Sequence, residues 1–233
     1  TALFKSGYRH TNFNNSFNGK VGLKEALLAS LNIPAIRAIE QVGPDLLQSE
    51  LDTYLDGALN SQKDAGLSLA VGGLYLKPEQ LISIYMGIMD PGYAKTISFE
   101  APAPSTQMTL ISKSASDQIL SLLIQEMSNG ERVAFKTGTS YARQDAWSIQ
   151  IYERHIVLVW LGTPDNEPTS HLTGAGSAFP VSLAIGRSLG LQAPHAPQLS
   201  SANKAKSPQP TAACPNLIDY PQDQTWIKSS TQH

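Results

Sequence analysis

The chain has 233 residues, 41% of them hydrophobic, with 17 Lys and Arg set against 19 Asp and Glu for a formal charge of −2. That is enough apolar material for one domain with a tail left over, and the balanced, scattered charge excludes the clustered basic face that nucleic-acid binding needs. A single cysteine, Cys214, excludes an internal disulfide framework and a Cys-based metal site, and the longest apolar run, Ile156 to Leu161, falls far short of the ~20 residues that span a bilayer.

Residues 1–20 are polar and rich in Asn, Gly and aromatics without a helical period, so they read as loop; no signal-peptide pattern opens the sequence. Helices are expected over Leu23 to Ala29, Pro34 to Gln41, Pro44 to Leu55, Pro78 to Met89 and Ser116 to Met127. Proline starts three of them, where its fixed φ suits the first turn. The Pro78 segment is apolar nearly all round and belongs at the centre of a helical half. The Pro- and Gly-punctuated stretch from Gly92 to Ser105 reads as a crossing towards a sheet.

Three strands follow: Val133 to Thr139, Ala146 to Tyr152 and Ile156 to Gly162. The short polar link Glu153-Arg154-His155 makes the last two an antiparallel hairpin. Trp147, Ile149 and Ile151 share one face, as in a sheet packed against helices. Phe179 to Leu189 reads as a closing helix. The expected fold class is α+β: an antiparallel sheet packed by helices with an adjoining helical lobe, and a cleft where strand and lobe meet.

From Gln192 the composition shifts to Pro, Ala, Ser, Gln and Lys, which marks a linker and tail. The organisation is thus one domain over 1–190 and a tail over 191–233. Leu217, Ile218, Tyr220, Trp226 and Ile227 in that tail are apolar enough to dock or to begin a further domain, against the simpler reading of a mostly disordered tail.

Two short motifs carry chemistry. Lys136-Thr137-Gly138-Thr139 ends the first strand, where a Lys supplies a fixed positive charge, two Thr hydroxyls on one side can hold a carboxylate, and Gly lets a substrate backbone approach. Ser30-Leu31-Asn32 falls between the first two helices, in a turn from which both polar side chains can face a cleft; without the first motif it would read as a capping turn. Arg143 and Asp145 follow the strand closely and fit either carboxylate binding or a local salt bridge. Tyr141 and Trp147 fit a cleft wall or the core. The five histidines, His10, His155, His171, His195 and His233, show no metal-ligand spacing.

The stretch from Tyr8 through Phe13, then Phe17 to Val21 and Glu25 to Ala35, resembles the transpeptidase domain of bifunctional penicillin-binding proteins, as do Leu67 to Gly73 and Lys77 to Leu81. Ser140 to Trp147 and Val159 to Gly162 look most like the 1C subtype of that family. The resemblance covers about Tyr8 to Leu189. It implies a β-lactamase/transpeptidase-like fold and acyl transfer from a peptide ending in D-Ala-D-Ala, without a cofactor. It also implies roles: Ser30 relays a proton, Asn32 bonds the donor amide, Lys136 polarises the relay, and Thr137 and Thr139 hold the carboxylate beside Gly138. The Thr139 backbone N–H supplies half of an oxyanion hole. The implied partners are the peptidoglycan stem peptide, β-lactam antibiotics, and an upstream glycosyltransferase domain with a membrane anchor on the periplasmic side of the bacterial inner membrane.

The family nucleophile is a Ser in a Ser-x-x-Lys motif upstream of the Ser-x-Asn turn. The string occurs here once, as Ser201-Ala202-Asn203-Lys204 inside the tail, where nothing would lock a partner base. The sequence therefore reads as a transpeptidase domain truncated on its N-terminal side. Two alternatives stay open: a non-catalytic peptide- or β-lactam-binding remnant, and a serine β-lactamase. The latter lacks its deacylating Glu here, since Glu79 has no Asn in the expected place.

Overall fold

The computed structural model describes residues 3–5, 8–10, 12, 18–59, 64–91, 97, 109–163, 165, 167–169, 171–195 and 217–218. In chain order the elements are β1 Leu3–Lys5, β2 Tyr8–His10, β3 Val21–Gly22, α1 Leu23–Leu28, α2 Asn32–Val42, α3 Pro44–Tyr54 and α4 Pro78–Met89. There follow α5 Lys113–Leu123, β4 Ile124–Glu126, β5 Arg132–Thr139, β6 Asp145–Ile151, β7 Ile156–Gly162, α6 Phe179–Ser188 and β8 Leu217–Ile218. The chain divides into two compact units: residues 1–48, 62–74 and 200–233 form one, and residues 49–61 and 75–199 the other.

In the first unit β1 pairs antiparallel with β2, and β3 with β8. Residues 1–20 are thus not all loop as expected; the pairing is short and lacks a hydrophobic alternation long enough to announce itself. Val21, Ala26, Leu31 and Ile33 form a buried cluster around α1 and the start of α2. A 3-10 turn, Gly66–Val71, packs on α2, and the Gln48 side-chain oxygen accepts the Ala65 N–H at 2.8 Å.

The second unit is built on a sheet in the order β4-β5-β6-β7, antiparallel throughout. Cross-strand partners show two faces. Phe135, Thr137 and Thr139 stand opposite Gln150, Ser148 and Ala146, while Ala134, Lys136 and Gly138 stand opposite Ile151, Ile149 and Trp147. Helix α6 covers the first face: Phe135 packs against Phe179 with the rings tilted and their centroids 4.3 Å apart. Helices α4 and α5 pack on β7 and β5 and bury Ala134, Ile149 and Ile151 on the other. Pro78 opens α4, where the Gln80 side chain accepts the Lys77 N–H at 2.7 Å. Ser112 caps α5 through the Ala115 N–H. This is the expected α+β fold, an antiparallel sheet with helices on its faces.

Several boundaries differ from expectation, and two of the differences have a physical cause. The helix read over Ser116 to Met127 ends at Leu123, and Ile124 to Glu126 instead pair with Ala134 to Arg132. A turn closed by Met127 N–H to the Glu131 carbonyl, with Gly130 at positive φ, makes that hairpin. The helix expected from Pro34 begins two residues earlier, at Asn32, because Pro34 suits any position of the first turn. The crossing from Gly92 to Ser105, apart from Ile97, and Ser201 to Lys204 lie outside the described residues.

Candidate active site

Ser30 is where α1 stops. The Leu31 N–H bonds the Ala26 carbonyl at 2.9 Å and the Ser30 N–H bonds that of Leu27 at 3.2 Å, the paired pattern of a Schellman end. Its accompanying apolar contact is present too, since Leu31 and Ala26 share the buried cluster. Ser30 itself holds φ at 51°, in the left-handed region that glycine usually occupies. It is solvent-exposed, while Leu31 is buried and Asn32 half-buried. The expectation that both Ser30 and Asn32 sit in the inter-helix turn holds for Ser30 alone; Asn32 is the first residue of α2.

Lys136, Thr137, Gly138 and Thr139 form the last half of β5. Strand alternation puts Lys136 and Gly138 on one face and the two Thr side chains on the other. The Lys136 ammonium donates to the Thr137 carbonyl at 2.7 Å. Burial holds its pKa below the ordinary lysine range. Thr139 Oγ1 accepts the Gly174 N–H at 3.0 Å, which leaves its hydroxyl proton to donate. Gly138 is exposed, and a side-chain carbon there would meet only Trp147 Cβ, at 3.7 Å. Nothing in the packing demands glycine at that position.

The edges of β5 are unequal. β6 pairs with it from Ala134 to Thr139, whereas β4 reaches only from Arg132 to Ala134. Among the described residues no strand lies beside Lys136 to Thr139 on the β4 side. A strand edge of this kind can pair with an extended peptide through its backbone.

The connection after β5 is tightly held. Asp145 N–H donates to Ser140 Oγ at 2.8 Å and Thr169 Oγ1 donates to the Arg143 carbonyl at 2.7 Å. Ala142 and Arg143 both carry positive φ, 54° and 57°. Asp145 accepts the Trp160 indole N–H at 2.8 Å, and Trp160 stacks on Trp147 with centroids 5.7 Å apart. Tyr141 is 85% exposed. Among the described residues no group of His, Cys, Asp or Glu is placed to hold a metal ion, and no helix is long and apolar enough to cross a membrane.

Sequence reasoning overlooked Gly174, which opens a π-helical turn, Gly174–Ala178, lying over β5 and β6. Its only signal was the small-residue run Gly174-Ala175-Gly176-Ser177-Ala178 ahead of the α6 proline. Asn12, taken as part of a loop, was also missed; its side chain reaches α2.

No family model matches the chain. Among solved structures, penicillin-binding protein 1A of Haemophilus influenzae superposes with a TM-score of 0.63 at 20% identity, covering 79% of this chain and 38% of that one. The penicillin-binding protein PonA1 of Mycobacterium tuberculosis gives 0.64 at 21%, covering 84% and 64%. The fold is therefore that of penicillin-binding protein structures. Penicillin-binding protein 1C of Escherichia coli K12 is 30% identical over 228 residues, 94% of this chain and 28% of that protein. Penicillin-binding protein 1B of Vibrio cholerae is 26% identical over 201 residues, 76% of this chain and 25% of its own length. The chain belongs to the penicillin-binding proteins, and it spans about a quarter of the length of these two relatives.

Proposed function

We propose that this chain is part of a serine-type D-alanyl-D-alanine transpeptidase that cross-links peptidoglycan and is acylated by β-lactams, its nucleophile lying in a Ser-x-x-Lys motif outside these residues. The observation that carries the reading is the edge of β5 beyond Ala134, where β4 no longer pairs and, among the described residues, no other strand takes its place, in a chain homologous to penicillin-binding proteins. An extended peptide can pair with such an edge through its backbone. The exposed Gly138 leaves that approach unobstructed.

The roles follow from residue chemistry. The absent Ser attacks the penultimate D-Ala carbonyl and expels the terminal D-Ala; an amine of a second peptide then attacks the ester. Ser30 passes a proton between base and leaving amine. Asn32 bonds the amide of the acyl donor. Lys136 draws the terminal carboxylate, which the Thr137 and Thr139 hydroxyls hold, and the Thr139 N–H stabilises the oxyanion. The wider assembly in this reading includes a glycosyltransferase domain and a membrane anchor on the periplasmic side.

The motif content supports a second reading. In it these residues belong to a remnant that binds peptide or β-lactam without reacting, and the Ser-x-x-Lys string at Ser201 to Lys204 is not a nucleophile. The deciding experiment expresses the whole open reading frame containing these codons and treats it with a fluorescent penicillin. A stable acyl-serine mapped by mass spectrometry to an upstream Ser-x-x-Lys supports the transpeptidase. Reversible binding without a covalent adduct supports the remnant. Rapid hydrolytic turnover of the penicillin transfers the assignment to the β-lactamases.

A further inference from the structure

Helix α2 begins without a cap of its own. Its N-cap residue is Leu31, which offers no side-chain acceptor, and Pro34 brings no N–H to the first turn. The Ile33 amide is then the donor most in need of a partner, because Ile33 is fully buried and water cannot reach it. That partner comes from far along the chain. Asn12 Oδ1 accepts the Ile33 N–H at 3.3 Å across a separation of 21 residues, and Asn12 is itself only 4% exposed.

We infer that Asn12 is a positioning residue for the Ser30–Asn32 turn, capping α2 from outside the helix and fixing the backbone that presents both polar side chains. The inference rests on the transpeptidase reading for its catalytic consequence. The physical need is specific. Ser30 is held at a φ of 51°, and a non-glycine residue persists there only when its surroundings over-determine it. Upstream, the Schellman bonds to Ala26 and Leu27 secure the turn. Downstream, the Asn12 carboxamide secures it at Ile33, one residue past Asn32. A carboxamide does this as a neutral acceptor in a buried place, where its remaining donors and acceptor stay available to other partners.

The test uses the full-length protein carrying Asn12→Leu, which removes the acceptor while keeping the branched outline, and Asn12→Asp, which keeps it. Readouts are penicillin acylation, the thermal melt and hydrogen exchange at the Ile33 amide. Asn12→Leu is expected to lower the acylation rate at saturating penicillin about tenfold, as a displaced catalytic group does, with the protein still folded at the assay temperature and Ile33 exchanging faster. Asn12→Asp is expected to restore most of that rate. An acylation rate for Asn12→Leu equal to the parent's, or a loss no larger than its unfolded fraction, overturns the inference. Should Asn12→Leu not fold, Asn12→Asp decides: parent-like acylation and Ile33 protection support the inference, and a tenfold loss overturns it. A parent that is not acylated at all sinks the transpeptidase reading instead; Ile33 exchange alone then judges Asn12, with unchanged exchange in Asn12→Leu counting against it.

Discussion

Gly174 rests on the backbone of Gly138: a side-chain carbon at position 174 would overlap the Gly138 carbonyl oxygen and stand 2.7 Å from that of Trp147 and 2.9 Å from the Gly138 nitrogen. The two glycines stand in different surroundings. Gly174 is fixed by packing, since the atoms it faces are backbone and cannot swing aside. A side-chain carbon at Gly138 would make only an ordinary contact with Trp147 Cβ, so packing does not dictate the glycine there.

A pair of substitutions separates these roles. Gly174→Ala is expected to cost about 3 kcal/mol or more, at the upper end of overpacking penalties. Gly138→Ala is expected to leave stability unchanged or raise it by about 0.5–1 kcal/mol, as an alanine in a strand should. At the same time it should depress penicillin acylation of the full-length protein. Chemical denaturation and a fluorescent-penicillin assay read the two effects; a Gly138→Ala variant with parent-like acylation would remove the substrate-approach argument.

Ser30 gives a second contrast. Its left-handed backbone is strained for any side chain, and glycine relieves that strain while adding freedom to the unfolded chain. Ser30→Gly should therefore change stability by less than about 1 kcal/mol in either direction, whereas Ser30→Val, branched at Cβ, should cost more than about 1 kcal/mol. Acylation should fall in both, because the hydroxyl is lost. A Ser30→Gly variant that is clearly less stable would mean that the hydroxyl, not the backbone, holds the turn.

The sheet was legible because its strands obey simple rules. Trp147, Ile149 and Ile151 alternate with Ser148 and Gln150, and the polar link from Glu153 to His155 leaves a hairpin as the natural connection. The β4–β5 hairpin was legible in principle and was overridden: Asn129-Gly130 is a strong turn signal, but the apolar period of α5 runs through Ile124 without a break. The packing of Gly174 on Gly138 and the reach of Asn12 to Ile33 were not legible, because they join residues 36 and 21 positions apart. No local period or propensity encodes such contacts. The candidate motifs were picked out by residue type and spacing alone. The sequence could not reveal that Lys136 and the two Thr side chains occupy opposite faces of β5, or that β4 stops pairing with it at Ala134.

Beneath that strand lies a buried polar cluster that packing alone would not choose. Ser148, Gln150 and Ser182 are completely buried. Ser182 Oγ bonds Ser148 Oγ at 2.8 Å, accepts from Gln150 Nε2 at 2.9 Å and donates to the Phe179 carbonyl at 2.9 Å, while Tyr152 donates its hydroxyl to Gln150. Each member is satisfied only while the others stay. Ser182→Ala should cost about 1–3 kcal/mol, the penalty for stranding buried polar groups. Gln150→Leu and Ser182→Ala combined should cost less than the sum of the two singles, since the second change removes a group already orphaned. A double-mutant cycle by urea denaturation measures this, and strict additivity would show that the bonds are not coupled.

Lys136 supplies the pH prediction. Burial favours its neutral amine, so the folded chain gives up the Lys136 proton at a lower pH than the unfolded chain does. Between those two values the unfolded chain binds more protons, and stability contributed by this residue rises with pH. The window ends near pH 10.4, where a lysine in an unfolded chain titrates. The parent should therefore gain stability relative to Lys136→Met as pH climbs towards that limit, with no such gain at lower pH, where both states are protonated. Activity should move the opposite way. If the ammonium draws the substrate carboxylate, penicillin acylation falls on the alkaline side at a lower pH than an ordinary lysine would impose. Urea titrations of the two proteins from pH 7 upward, with acylation rates of the parent at each pH, test both halves. A stability difference that stays flat, or an acylation rate undiminished up to the ordinary lysine range, would show that Lys136 keeps its proton as an exposed lysine does.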